Sequence, residues 1–122
     1  EDTYEVEGHP MFGYKRGGYT ALELQQADAM SGLWGIELVG AIQTLGHLEQ
    51  MLQWSQYKSI RDSRSRVKMN NDTEALLDSL IATIATNLRS KRIHIGMDEP
   101  FRIDRDNGME VQLAQRQAAV RL

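Results

Sequence analysis

Apolar residues recur at three-to-four spacing through Leu76, Leu77, Leu80, Ile81, Ile84, Ala85 and Leu88, and Asn71 with Glu74 three positions on reads as a capping box. The pattern predicts an amphipathic helix whose stripe must pack on something. Directly after it, Arg92-Ile93-His94-Ile95-Gly96-Met97 changes to a period of two, which sets Ile93, Ile95 and Met97 on one face of a strand and His94, Gly96 and Asp98 on the other. A second helix is signalled earlier. Thr20 and Glu23 form a capping box, the run to Trp34 contains no proline, and Gly35 supplies a stop. The stretch Ile36-Glu37-Leu38-Val39-Gly40-Ala41-Ile42-Gln43-Thr44, bounded by Gly35 and Gly46, is largely apolar, as expected of a parallel strand covered on both faces.

The remaining segments are less regular. Residues 1 to 18 mix aromatics with Gly8, Pro10, Gly13, Gly17 and Gly18 and suit an irregular loop. Leu45 to Ile60 reads as helix or helical loop, and Arg61 to Asn71 as an exposed connection whose charges form a solvated surface. Beyond Pro100, the stretch Phe101 to Gly108 reads as loop and Met109 to Leu122 as a final helix. Helix, strand, helix, strand with covered strands is the grammar of a parallel α/β sheet, either open and doubly wound or part of a (β/α)8 barrel. A full barrel takes ~250 residues, so a stretch of this length supplies only part of one.

Composition narrows the function classes. The 122 residues, 41% hydrophobic and 25% charged, fit one globular domain, 1–122, with a divergent tail over 100–122. A formal charge of −3 gives no electrostatic reason to expect nucleic acid or an anionic membrane, and a neutral ligand is easier to accommodate. Zero cysteines exclude a disulfide scaffold and thiolate metal sites and favour a reducing, cytoplasmic compartment. No apolar run reaches the ~20 residues of a membrane helix, and Glu1-Asp2-Thr3-Tyr4 lacks the features of a signal peptide. No cofactor is expected: neither GxGxxG nor GxxxxGK[ST] occurs, and the histidines lack HExxH spacing for a metal.

Asp98 and Glu99 stand where the second strand runs into a loop, and carboxyl ends of parallel strands are where active sites collect. Alternatively, Asp98 caps a following helix and Glu99 is merely exposed. Adjacent carboxylates cannot face each other across a scissile bond as in an ordinary glycosidase. A workable division has Glu99 protonate the leaving oxygen while Asp98 steadies a nucleophile supplied by the substrate, such as an acetamido group. His47 follows the first strand by a few residues, which puts it at the same rim, either as a turn residue or as a group that tunes an acid. His94, deeper on the second strand, reads as a core histidine or a ligand contact. Trp34, Trp54, Tyr4, Tyr14 and Tyr19 are core candidates before they are sugar platforms.

The run Arg92-Ile93-His94-Ile95-Gly96-Met97-Asp98-Glu99 resembles the His-x-Gly-x-Asp-Glu signature of family 20 β-N-acetylhexosaminidases. Ile36-Glu37-Leu38-Val39 leading into Ile42-Gln43-Thr44-Leu45-Gly46-His47-Leu48-Glu49, and Glu1-Asp2-Thr3-Tyr4-Glu5-Val6, are similar to segments of a bacterial branch of that family, in the same order. The resemblance covers Glu1 to Glu99 and implies about the second to fourth strand regions of a (β/α)8 TIM barrel. It implies removal of terminal β-linked N-acetylglucosamine or N-acetylgalactosamine, with Asp98 orienting the attacking acetamido group and Glu99 acting as acid, then base. His47 matches a family histidine after the third strand, and Glu1 or Asp2 would complete a network with Glu99. The family's substrate-gripping arginine and its tryptophan and tyrosine pocket have no counterpart in this stretch, so lineage and activity of the chain alone are separate expectations. The implied partners are an N-acetylhexosamine-bearing carbohydrate and either a second copy or the remainder of a barrel. The alternative is a non-catalytic assembly domain derived from the barrel.

Overall fold

The computed structural model describes residues 2–97. In order they form α1 (Ala21–Leu33), β1 (Gly40–Ala41), α2 (Glu49–Leu52), a single 3-10 turn (Ser55–Tyr57), α3 (Asn71–Asn87) and β2 (Ile93–His94). β1 and β2 pair in parallel, with Gly40 opposite Ile93 and Ala41 opposite His94. The architecture is mixed α/β. The predicted helix of the tail, 109–122, lies outside the described residues.

Both ends of α1 follow from local sequence. The Thr20 hydroxyl accepts from the Glu23 backbone N–H at 3.3 Å, and the Glu23 carboxylate accepts from the Thr20 N–H at 2.8 Å, so the capping box forms as expected. At the other end Gly35 sits at φ +69, Ile36 N–H donates to the Ser31 carbonyl and Gly35 N–H to Gly32. This pairing satisfies the last carbonyls and needs the left-handed conformation that glycine adopts without a Cβ penalty. The cap of α3 is displaced by one residue from the sequence expectation. Asn70, rather than Asn71, accepts from the Thr73 N–H at 2.9 Å, while the buried Thr73 hydroxyl donates to the Lys68 carbonyl at 2.7 Å.

The expected strand Ile36–Thr44 is shorter than its apolar run. Ile36 is 61% exposed and bound into the α1 stop, so regular pairing begins only at Gly40. Beyond the two paired residues the ladder continues as single bonds, Ile42 N–H to the His94 carbonyl at 2.9 Å and Thr44 N–H to the Gly96 carbonyl at 3.3 Å. The stretch Leu45 to Ile60 resolves into α2 and the 3-10 turn, and 61–67 closes through an antiparallel bridge between Arg61 and Val67.

The described residues divide into two compact units, one of residues 2–42 and 79–95, the other of 43–78 with 96–97. In the first, Tyr4, Val6, Phe12, Leu24, Ile42, Leu80, Ile84 and Leu88 are buried, with the Tyr4 and Phe12 rings edge to face at 5.2 Å between centroids. The opening loop joins this core because Tyr4 bridges Tyr19 in parallel, with Tyr19 N–H donating to Thr3 at 2.7 Å and Glu5 N–H to Tyr19 at 2.9 Å. Gly40 is needed where β1 meets α3, since a Cβ there would collide with the Ile84 side chain. Asp28, 5% exposed, anchors α1 to the segment after α3: its carboxylate accepts from Arg89 Nε at 2.5 Å and from the Arg89 backbone N–H at 3.2 Å. In the second unit the core is Leu45, Leu48, Met51, Leu52, Tyr57, Ile60, Val67, Leu76 and Leu77.

Candidate active site

The bond from Thr44 to Gly96 marks where the two parallel segments end side by side. After Thr44 the chain passes through buried Leu45 and Gly46 to His47, and after Gly96 it passes through half-buried Met97 toward Asp98. Both exits turn sharply: His47 has φ +58 and Gly96 has φ +50. For Gly96 this conformation costs little, but for a histidine it is sparsely populated and has to be imposed by its surroundings. The surroundings that impose it are visible. Val67 N–H donates to the Leu45 carbonyl at 3.3 Å and Leu48 N–H to the Ser65 carbonyl at 3.1 Å, so the turn is tied on both sides of His47 to the 65–67 loop. That loop is itself held by Asp62 and Ser63 N–H bonds to the Arg66 carbonyl and by the 3.0 Å Arg66–Asp62 ion pair.

Thr44, 2% exposed at the strand end, buries a hydroxyl that has no hydrogen-bond partner among the described residues. A buried hydroxyl of that kind is costly and therefore uncommon. Nothing in the sequence singled it out, because an apolar run with one threonine reads as ordinary strand; the signal is only its burial.

Of the other sequence candidates, Asp2, His94 and Trp34 sit in the first unit. Asp2 is half-buried and ion-paired, its Oδ1 3.3 Å from Arg16 Nε, on the loop whose Gly13 lies directly against the Asp2 carbonyl. His94 stands exposed on β2 in this chain, beside half-buried Ile93 and Ile95. Trp34 is likewise exposed, at 77%. Asp98, Glu99 and Glu1 lie outside the described residues, so the structure brings His47 and the approach to Asp98 to adjoining strand ends and leaves the carboxylates themselves undescribed. Among the described residues no three of histidine, cysteine, aspartate and glutamate converge as metal ligands, and no helix is long and apolar enough to cross a membrane.

Ionisation in the rest of the described chain reflects local partners. Glu37 is held below the usual carboxylate range by hydrogen bonds from Arg92 and Ser90, and burial pushes the Tyr57 hydroxyl up to about 12.

No protein-family model matches the chain. Human Hexosaminidase D is 25% identical to it over 96% of this chain and 25% of that protein. The chain thus spans about a quarter of the length of the curated relative it matches. The likeness relates it to a hexosaminidase.

Proposed function

We propose that the chain is part of a (β/α)8 glycoside hydrolase of the family 20 type, covering about the second to fourth strand regions, and that it acts on terminal β-linked N-acetylhexosamines. The observation that carries the proposal is the pair of adjoining parallel strand ends, one turning through a strained His47 and the other leading into Asp98-Glu99. Likeness to a human hexosaminidase along nearly the whole chain supports it.

In this reading Glu99 gives its proton to the glycosidic oxygen as the C1–O bond breaks, and the acetamido oxygen of the substrate attacks C1 to form an oxazolinium ring. Asp98 accepts the acetamido N–H and holds that group in line. Glu99, now a carboxylate, takes a proton from water as the water opens the ring at C1, which returns the anomeric configuration to its starting sense. His47, fixed in its turn, hydrogen-bonds the substrate or the acid. Glu1 or Asp2 completes a network with Glu99, and the Asp2 carboxylate is ion-paired with Arg16.

The test is hydrolysis of a chromogenic N-acetylglucosaminide by the chain alone and after mixing with the remainder of its parent barrel. Turnover that disappears in Glu99→Gln upholds the reading; no turnover above buffer in either form sinks it. The assembly reading has one observation of its own, the exposed Leu22, Met30, Leu33, Trp34 and Ile36 on and after α1. Light scattering tests it, with a stable monomer as the outcome that counts against it.

A further inference from the structure

Residues 58–68 concentrate positive charge in a chain of net −3: Lys58, Arg61, Arg64, Arg66 and Lys68 stand against Asp62 alone. The fold then spends the single acid internally. Asp62 pairs with Arg66 at 3.0 Å, which leaves the other four cations on the surface without an ion pair among the described residues. Two of them line a cleft of about 550 Å³ between α2 and this loop, together with Glu49, Gln50, Gln53 and Ser63. Arg61 is braced by a 3.3 Å bond from its Nη1 to the Leu52 carbonyl, at the floor of the cleft. Arg64 is exposed and its guanidinium, a fork of five donors, makes no hydrogen bond or ion pair to any described residue.

The two kinds of lining residue answer two kinds of ligand group. Planar amides, a carboxylate and a hydroxyl at Gln50, Gln53, Glu49 and Ser63 suit the paired hydroxyls of a sugar. The guanidiniums of Arg61 and Arg64 suit a planar carboxylate or a sulfate. Among the described lining residues there is no aromatic ring on which a base could stack, which sets the cleft apart from a single-strand nucleic-acid groove. Its location completes the argument: Glu49 is two residues after His47, and the 65–67 loop that pins the His47 turn continues the segment carrying Arg61 and Arg64.

We infer that this cleft is a subsite for an acidic sugar, the residue to which the terminal N-acetylhexosamine is joined, so that the preferred substrate carries a uronate or sulfated unit as leaving group. The inference rests on the hydrolase reading for its place in the reaction, while the cleft's chemistry stands on the residues named. The carboxylate or sulfate is bound by Arg64 and Arg61 and the sugar hydroxyls by the polar side chains of α2, and no bond is made or broken here.

The experiment titrates the chain, by nuclear magnetic resonance, with a glucuronate-containing chondroitin disaccharide, its sulfated form, and neutral N,N′-diacetylchitobiose. At 20 mM salt at least one acidic disaccharide is expected to bind about ten-fold more tightly than the neutral one and to shift resonances of Gln50, Gln53 and Ser63. The two acidic arms separate carboxylate from sulfate recognition. Arg64→Gln should bring acidic and neutral ligands to equal affinity, Arg64→Lys should keep part of the difference, and 0.5 M salt should erase it. Because Arg64 is exposed and makes no hydrogen bond or ion pair to a described residue, the variants are expected to fold, and their unperturbed spectra check that. Equal affinity for acidic and neutral sugars in the unmutated chain, or an acidic preference unchanged by Arg64→Gln, overturns the inference. So does a short single-stranded oligonucleotide that binds the cleft more tightly than either acidic sugar. Glu99-dependent hydrolysis without acidic preference sinks this inference alone; Arg64-dependent binding without hydrolysis leaves the acidic cleft and removes the hydrolase.

Discussion

The two compact units expose different chemistry. In the first, α1 and the turn after it present Leu22, Met30, Leu33, Trp34 and Ile36 to solvent, and every large apolar side chain exposed among the described residues falls in this unit. In the second, the surface is cationic through 58–68 and the apolar residues are nearly all inside, with Leu52 fully buried. A surface that is apolar is one that water disfavours and another surface covers; one that is cationic and cleft is kept in water and meets an anion. On the readings proposed above, association would fall to the first unit and ligand recognition to the second.

The largest effect that would sharpen this contrast is in the cores. Leu52→Ala in the second unit should cost ~2–5 kcal/mol in urea unfolding, whereas Leu33→Ala on the exposed face of α1 should cost no more than ~0.5 kcal/mol and should instead weaken self-association in light scattering. Equal losses from the two would break the comparison. Next, Gly40→Ala drives a Cβ into Ile84 and should destabilise by ~1–3 kcal/mol, read from the same unfolding curves; a neutral result would mean that β1 and α3 can separate without cost.

A smaller and opposite effect is expected at the strained turn. His47→Gly relieves a left-handed residue and should raise stability by about 1 kcal/mol while lowering N-acetylglucosaminide turnover in the complemented enzyme. Loss of stability in this variant would show that His47 is a packing residue. The smallest is an alkaline limb. Burial raises Tyr57 in the folded state, so its neutral form is favoured there: its contribution is fully present below the ordinary value of 10.0 and is lost as pH rises through about 12. Tyr57→Phe should flatten that limb in pH-dependent unfolding, and an unchanged profile would assign it elsewhere.

Local signals were the legible part of the sequence. The Thr20/Glu23 box, the Gly35 stop and the stripe from Leu76 to Leu88 each depend on residues within a turn or two of one another, and α1 and α3 formed where they pointed. The cap of α3 slipped by one residue because Asn70 and Asn71 offer the same side chain and only the backbone chooses between them. The strand was harder. Ile36 to Val39 has the composition of a buried strand but serves the end of α1 and remains largely exposed, because pairing depends on a partner far along the chain.

Sequence by itself determined where the helices start and stop, that the chain is mixed α/β, and that His47 and Asp98 follow strands. Tertiary structure alone decided that Thr44 and Gly96 end side by side, that His47 is held at positive φ, and that Asp62 pairs with Arg66 while Arg64 has no ion pair among the described residues. Helix signals are carried by neighbours within about four residues and survive in the one-dimensional pattern. Parallel pairing, strain and the exposure of a charge are set by contacts made across dozens of residues, which no local pattern records.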